Sequence, residues 1–196
     1  MSTFQMYFQL GVGHILNFRA LDHILFILAL SALYTLRDWR KVLILVTAFT
    51  LGHSVTLALS AFDVFRANAA WVEFLIPVTI LITAASNVFR RQPDFSSPAS
   101  KIHLNYFYAF TFGLIHGLGL ARELVAMVGR RASVVEPLLA YNLGIELGQV
   151  VIVLFFLLVA GLIVVVAGVS KREWTLGVSA TIVGMAFMLM LQNKIW

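Results

Sequence analysis

The chain has 196 residues, of which 61% are hydrophobic and only 12% are charged, about half the charged fraction of a soluble domain. Uncharged runs recur that approach the length of about 20 residues that a transmembrane helix needs, which excludes a soluble protein. The net charge of +5 does not indicate nucleic-acid binding, because Lys and Arg stand at the ends of the apolar segments, where they orient helices. No cysteine is present, which excludes disulfides and thiolate metal sites.

In chain order, the apolar segments predict an all-α, polytopic transmembrane helical bundle of about six spanning helices, formed as a single transmembrane domain over residues 1–196. Residues 4–18 are apolar but short, and Gln5, Gln9 and His14 interrupt them, so we predict a short N-terminal interfacial or re-entrant helix. No strong internal repeat is visible, and a Pro- and Ser-rich connection follows the third span. The spans are predicted at about residues 20–36, 42–62, 70–89, 104–121, 137–168 and 174–191.

The basic residues also predict how the bundle is oriented. Of the 14 Lys and Arg residues, eight fall in the connections after the first, third and fifth spans. The positive-inside rule then places both termini outside. The N-terminus shows no basic region or cleavage motif of a signal peptide. We expect an integral protein of the prokaryotic cytoplasmic (inner) membrane.

One polar face stands out at the start of the fifth span. Asn142, Glu146 and Gln149 are spaced i, i+4 and i+7, so they share one face of a helix. An ionised Glu in hydrocarbon is costly unless it is paired, protonated or bound to a cation. This face therefore needs a partner within the bundle.

Four histidines and an aspartate lie in similarly apolar settings, all predicted in the half of the membrane on the N-terminal side. Imidazole is a common ligand of nickel, cobalt, zinc and copper, whereas carboxylates alone would suit magnesium or calcium. We therefore predict a site for a divalent transition metal ion (Ni, Co or Zn). His103, beside Lys101 on the opposite side, is excluded. The predicted ligands are His14, Asp22, His23, His53, His116 and Glu146, with Ser54, Glu73, Asn142 and Gln149 around them.

Each of these residues also has an explanation without a metal. A single histidine in a membrane more often bonds between helices, and Asp22 would also serve as N-cap of the first span. Asp22 and His23 diverge by about 100° on a helix, so Asp22 either shares an ion beyond the helix end or orients an imidazole. Ser54 is expected to bond the carbonyl of Thr50. Glu73 is as consistent with an interfacial side chain as with a functional one.

Four blocks of the sequence carry a resemblance. His14 with DHILF at 22–26 is one block, and the others are FTLGHSVTL at 49–57, FGLIHGLGLA at 112–121 and YNLGIELGQ at 141–149. They are similar to the histidine motifs and the Asn-Glu-Gln motif of the HupE/UreJ membrane proteins. That family is named for hydrogenase and urease accessory genes and is regarded as containing nickel or cobalt uptake permeases.

Two functions that use a bound metal ion are consistent with the sequence. The resemblance implies a nickel or cobalt uptake permease with an outward-facing His/carboxylate site. The alternative is an intramembrane zinc-dependent hydrolase acting on a lipid or lipid-linked substrate, because three histidines with a carboxylate base can activate water. A polar path through Asn87 to the inner face would favour transport, and a purely structural bundle would bind no metal. The expected partners are the lipid bilayer and the metal ion, with a homo-oligomer as a further candidate and no nucleic acid.

Overall fold

The computed structural model describes residues 1–17, 21–89, 100–128 and 134–195, and within these ranges the chain is helical without any strand. The predicted Pro- and Ser-rich connection at 90–99 lies outside them. A short 3-10 helix, Leu36–Asp38, precedes the third of seven α-helices. These are α1 (Thr3–Leu16), α2 (Leu21–Ser31), α3 (Trp39–Ala61), α4 (Ala69–Phe89), α5 (Ser100–Val128), α6 (Val135–Val165) and α7 (Lys171–Gln192).

Four helices among the described residues are long and apolar enough to cross a membrane: α3 with its preceding 3-10 turn, α4, α6 and α7. α1 and α2, whose axes meet at 71°, make a fifth when they are taken as one bent span. α5 has 29 residues, but Asn105, two tyrosines and His116 reduce its hydropathy. The predicted all-α transmembrane bundle is confirmed, and the number of about six spans is approximate.

The first predicted span, residues 20–36, is corrected by the structure. α2 stops at Ser31 and its 11 residues extend about 16 Å, roughly half of the hydrocarbon thickness. The helix ends here because side chains from other helices satisfy its carbonyl groups. Asn87 Nδ2 donates to the Ala29 carbonyl over 2.7 Å, and Thr175 Oγ1 donates to the Ala32 carbonyl over 2.9 Å. α2 alone is therefore too short to span the membrane.

Contacts between helix ends define two faces of the bundle. Asn193 Nδ2, after the end of α7, donates over 3.1 Å to the carbonyl of Glu73 near the start of α4. That carbonyl is available because Pro77, four residues later, has no N–H. We call this side the Glu73 face. The opposite side, where α3 and α7 begin and α2, α4 and α6 end, is the Lys41 face.

Two helix pairs pack at backbone contact. In the first pair, α1 with α6, a Cβ atom on Gly11 would overlap the Tyr141 carbonyl, and one on Gly144 would overlap the Phe8 carbonyl. In the second pair, α3 with α5, Gly52 and Gly113 have the same reciprocal relation to the carbonyls of Phe110 and Phe49. Only glycine allows helices to approach this closely.

The directions of the helices relate these two pairs. α1 and α6 are parallel, because their contacts advance along both helices in the same direction. Gly11 lies against Tyr141, and further along both helices Ile15 lies against Gly148. The glycine contacts of α3 and α5 show that they are parallel as well. α3 begins at the Lys41 face, where α6 ends, so the two pairs run in opposite directions. The start of α1 and the end of α7 consequently lie on the Glu73 side.

The two pairs also share a short motif that the sequence alone does not reveal as a repeat. Each of the four helices places an aromatic residue three positions before the packed glycine, and in α1 and α5 a histidine follows three positions later. The tight pairs α1–α6 and α3–α5 thus share the same packing motif and run in opposite directions. The motifs are Phe8–Gly11, Phe49–Gly52, Phe110–Gly113 and Tyr141–Gly144, with His14 and His116 following the first and third.

Candidate metal centre

Four histidines from α1, α2, α3 and α5 converge inside the bundle, and we call them the histidine centre: His14, His23, His53 and His116. The His23 ring is central, with its centroid 5.3 Å from that of His14 and 5.4 Å from those of His53 and His116. Two imidazoles that bind one ion at about 2.0–2.1 Å have centroids roughly 5 Å apart. These spacings therefore suit a shared ion.

The contact of His116 with α4 fixes the depth of the centre and the tautomer of this ring. His116 Nε2 lies 3.0 Å from Thr79 Oγ1, and Thr79 is at the middle of α4. The Thr79 hydroxyl donates its one proton to the Ile76 carbonyl over 2.7 Å, so it accepts from His116 Nε2–H. His116 Nδ1 then carries the lone pair of the ring. The centre lies near the middle of the bundle rather than near one face.

Asp22 fixes the tautomer of His23. Its Oδ1 lies 3.1 Å from His23 Nδ1 and also accepts the backbone N–H of His23 over 2.9 Å. Donation from Nδ1–H to the carboxylate leaves the lone pair on Nε2. A carboxylate behind a histidine is the usual arrangement that orients a metal ligand. Of the two roles predicted for Asp22, the geometry favours the orienting one, and the imidazole is that of its own neighbour.

Five imidazole nitrogens of the centre are buried and have no hydrogen-bond partner among the described residues: His14 Nε2, His23 Nε2, both nitrogens of His53 and His116 Nδ1. Leaving one buried polar group unsatisfied costs about 1–3 kcal/mol, so a bound cation would relieve a substantial cost. In the part of the chain that the structure describes, no three His, Asp or Glu side chains are arranged to hold one ion. Binding therefore requires the rings to rotate. The donor set fits a borderline transition metal.

Comparison with known proteins gives one result. The family model described as HupE / UreJ protein matches residues 1–194. The chain belongs to the HupE/UreJ family. No curated protein and no solved structure matches. At the level of its family, this HupE/UreJ chain is a membrane protein linked to nickel and cobalt transport.

The polar face of α6 meets threonines of α3 in this HupE/UreJ protein. Thr47 Oγ1 donates to Glu146 Oε1 over 2.7 Å, and Thr50 Oγ1 donates to Gln149 Oε1 over 2.8 Å. Among the described residues, no hydrogen bond or ion pair joins Glu146 to a histidine. The structure thus brings together four predicted histidine ligands and Asp22, and it places Glu146 against α3.

The other predicted residues surround the centre at different distances. Ser54 Oγ donates to the Thr50 carbonyl over 2.8 Å, as predicted. Asn142 Nδ2 donates to the carbonyl four residues earlier, while its buried Oδ1 has no partner among the described residues. Glu73 is exposed near the start of α4, six residues or about 9 Å along the helix from Thr79. Thr79 could not be recognised from the sequence as a partner of His116, because a threonine in an apolar helix usually bonds only its own backbone.

Proposed function

We propose that this chain is an uptake permease for a divalent transition-metal ion such as nickel or cobalt, which the histidine centre binds as substrate. The observation that carries the proposal is the convergence of five buried imidazole nitrogens without partners. Membership of the HupE/UreJ family supports the same substrate class. Imidazole-rich sites suit nickel, cobalt and zinc better than magnesium or calcium.

The bend between α1 and α2 supports transport. His14 lies in the last turn of α1, where free carbonyl groups give the helix end a partial negative charge, and Asp22 lies in the first turn of α2. Both helix ends are therefore next to the rings that would hold the cation. Interrupted helices with their ends near the middle of the membrane are a recurrent way in which transporters bind ions.

The opposite directions of the two tight pairs support a mechanism of release. His14 belongs to the α1–α6 pair, whereas His53 and His116 belong to the α3–α5 pair. If one pair rocks against the other, as inverted repeats do in transporters, the set of ligands around the ion changes. A permease needs such a change, because an ion held too tightly cannot leave.

The charge distribution suggests the direction of uptake. Five basic residues stand in described segments at the Lys41 face: Arg37, Arg40, Lys41, Lys171 and Arg172. By the positive-inside rule this face is cytoplasmic and the Glu73 face is external. At the Glu73 face, a cavity lies between Glu73 and Gly119, one turn beyond His116. A carboxylate at this position would attract cations to the entrance.

The test uses full-length protein without an affinity tag, reconstituted into liposomes that contain a nickel- and cobalt-sensitive dye. We expect saturable uptake by the wild type and by His103→Ala, and none by His53→Ala. His103 is the matched control, because it lies 13 residues or about 20 Å before His116 on α5. No binding and no flux in the wild type would overturn the proposal. Tightly held stoichiometric zinc with hydrolysis of a lipid ester and no flux would favour the hydrolase.

A further inference from the structure

A cavity lies on the Lys41 side of the histidine centre. It has a volume of about 240 Å³ and is lined by residues of α2, α3, α4 and α5 and of the turn after α2. Such a volume holds several water molecules. Among the described residues, its polar lining consists of hydroxyl and carboxamide groups and includes no carboxylate or imidazole. These polar residues are Tyr34, Thr83, Ser86, Asn87, Asn105 and Tyr108.

Three phenylalanines separate the histidine centre from this cavity, and we call them the phenylalanine layer: Phe26, Phe49 and Phe112. The Phe26 ring lies 4.7 Å from Phe49 and 6.0 Å from Phe112, centroid to centroid. On the other side, the His116 ring lies 4.9 Å from Phe26 and 5.1 Å from Phe49. Phe112 itself lines the cavity.

The same order of residues occurs on α2, α3 and α5, from the histidine centre towards the Lys41 face. One turn from its histidine each of these helices carries a phenylalanine, and one turn further it carries a residue at the level of the cavity. Hydrocarbon rings give a divalent cation no ligands, so this layer closes the route. The series are His23, Phe26 and Ala29 on α2, His53, Phe49 and Leu45 on α3, and His116, Phe112 and Tyr108 on α5.

α4 differs from the other three helices at this level because it carries hydroxyl groups. Thr79 Oγ1 contacts His116 in the centre. Thr83 Oγ1, one turn further, lines the cavity and donates to the Thr79 carbonyl over 2.8 Å. Ser86 Oγ donates to the Thr83 carbonyl over 2.8 Å and also lines the cavity. Three hydroxyl groups therefore follow one another along α4, about one turn apart, from the centre to the cavity.

We propose that the cavity is the vestibule through which the metal ion leaves the histidine centre, with the phenylalanine layer as its gate. The oxygen atoms of Thr79, Thr83 and Ser86 are transient ligands on this route. Neutral oxygen binds these metals less firmly than imidazole does, so the ion in the vestibule keeps part of its hydration and leaves readily. This inference rests on the proposed permease function, but it concerns release rather than binding.

The first experiment removes one oxygen of the route. Thr83→Val in the liposome assay should lower nickel or cobalt flux about tenfold, while equilibrium binding to the purified protein stays within about twofold of wild type. Thr181→Val is the matched control, because Thr181 makes the same bond to the carbonyl four residues earlier but is exposed on α7. Thr83→Ser should restore the flux, which a folding defect would not explain.

The second experiment tests the gate and the vestibule. Phe112→Ala should give flux that no longer saturates, whereas Phe155→Ala, on an exposed position of α6, should not. Since the chain has no cysteine, Ser86→Cys provides a unique label. A charged, membrane-impermeant thiol reagent should modify it from the Lys41 face only, and should leave the lipid-facing Leu158→Cys unmodified.

The outcomes separate this inference from the proposed function. If the wild type binds and transports the metal, but Thr83→Val behaves as Thr181→Val and Ser86→Cys reacts from neither side, the exit route is wrong and the permease stands. If the wild type binds no metal, the proposed permease function is wrong, and the proposed exit route is wrong with it. Reaction of Ser86→Cys from the Glu73 face alone would also overturn the route.

Discussion

The histidine centre and the polar face of α6 both place hydrogen-bonding groups deep in an apolar bundle, but their hydrogen bonding differs. Gln149 and Glu146 each accept a hydroxyl proton from a threonine of α3. In the histidine centre, His53 has two buried nitrogens and no hydrogen-bond partner among the described residues. The α6 face is joined to α3 by two hydroxyl bonds, and only Gln149 Nε2 and Asn142 Oδ1 are left there without a partner among the described residues. In the centre, Asp22 bonds His23 and Thr79 bonds His116, but five imidazole nitrogens have no partner among the described residues.

This difference distinguishes a helix contact from a ligand site. A polar pair between membrane helices contributes about 0.6 kcal/mol on average, which is enough to hold α6 against α3. Buried nitrogens without partners cost stability and persist where a ligand compensates for them. The contrast predicts that substitutions in the two regions will affect different measurements.

The largest effect is expected from removing an imidazole. His53→Ala or His116→Ala should weaken nickel and cobalt binding by more than about 100-fold, beyond the range found for groups that only orient a ligand. Both rings are fully buried, so each variant also leaves a cavity that costs a few kcal/mol of stability, and thermal unfolding confirms that the metal-free variants remain folded. Isothermal titration and thermal unfolding of the same samples check this. Unchanged metal affinity would remove the distinction between the two regions.

A smaller loss is expected when the orientation of His23 is disturbed. Asp22→Asn should lower metal affinity about 10- to 100-fold, because Asp22 holds the Nδ1–H of His23 and so keeps Nε2 available. The metal titration used for the histidine variants measures this. An effect as large as that of His53→Ala would instead indicate that Asp22 binds the ion directly.

The packing of the two helix pairs should affect stability. Gly11→Ala should destabilise the protein by about 1–3 kcal/mol, because its Cβ would overlap the Tyr141 carbonyl. Gly13→Ala on the same helix meets nothing within 4 Å and should be neutral or stabilising by up to about 1 kcal/mol. Thermal unfolding in detergent compares the two. Equal stability of both variants would contradict the close approach of α1 and α6.

The smallest effect on metal binding is expected at the α6 face. Thr50→Val should cost about 0.6 kcal/mol of stability, and Glu146→Gln should reduce metal affinity by less than about 10-fold, the lower limit for a group that orients a ligand. Both follow because Thr50 and Thr47 are the observed partners of this face. A complete loss of metal binding in Glu146→Gln would return Glu146 to the ligand set predicted from the sequence.

Some features of the bundle can be predicted from the sequence, and others depend on contacts between distant helices. The apolar segments located α4 and α7 within a few residues, since length and hydropathy are local properties. The four histidines were predicted as one group because each has an unusually polar side chain in an apolar segment. The early end of α2 was missed because the partners of its carbonyls, Asn87 and Thr175, come from distant helices.

The partner of the α6 face was missed for a related reason. We expected histidine to be the partner of the carboxylate on this face. Thr47, Thr50 and His53 all lie on α3, and the sequence does not show which of them points towards α6. Which of them faces α6 depends on how the two helices rotate against each other. The packing motif shared by the two pairs was not recognised because it is only an aromatic residue and a glycine in each helix.

X-ray absorption spectroscopy of nickel or cobalt bound to the tag-free protein tests directly whether the histidine centre holds the ion. We expect scattering from at least three imidazole rings, with nitrogen at about 2.0–2.1 Å, and the loss of part of this scattering in His116→Ala. A spectrum with only oxygen ligands, unchanged in that variant, would contradict the histidine centre.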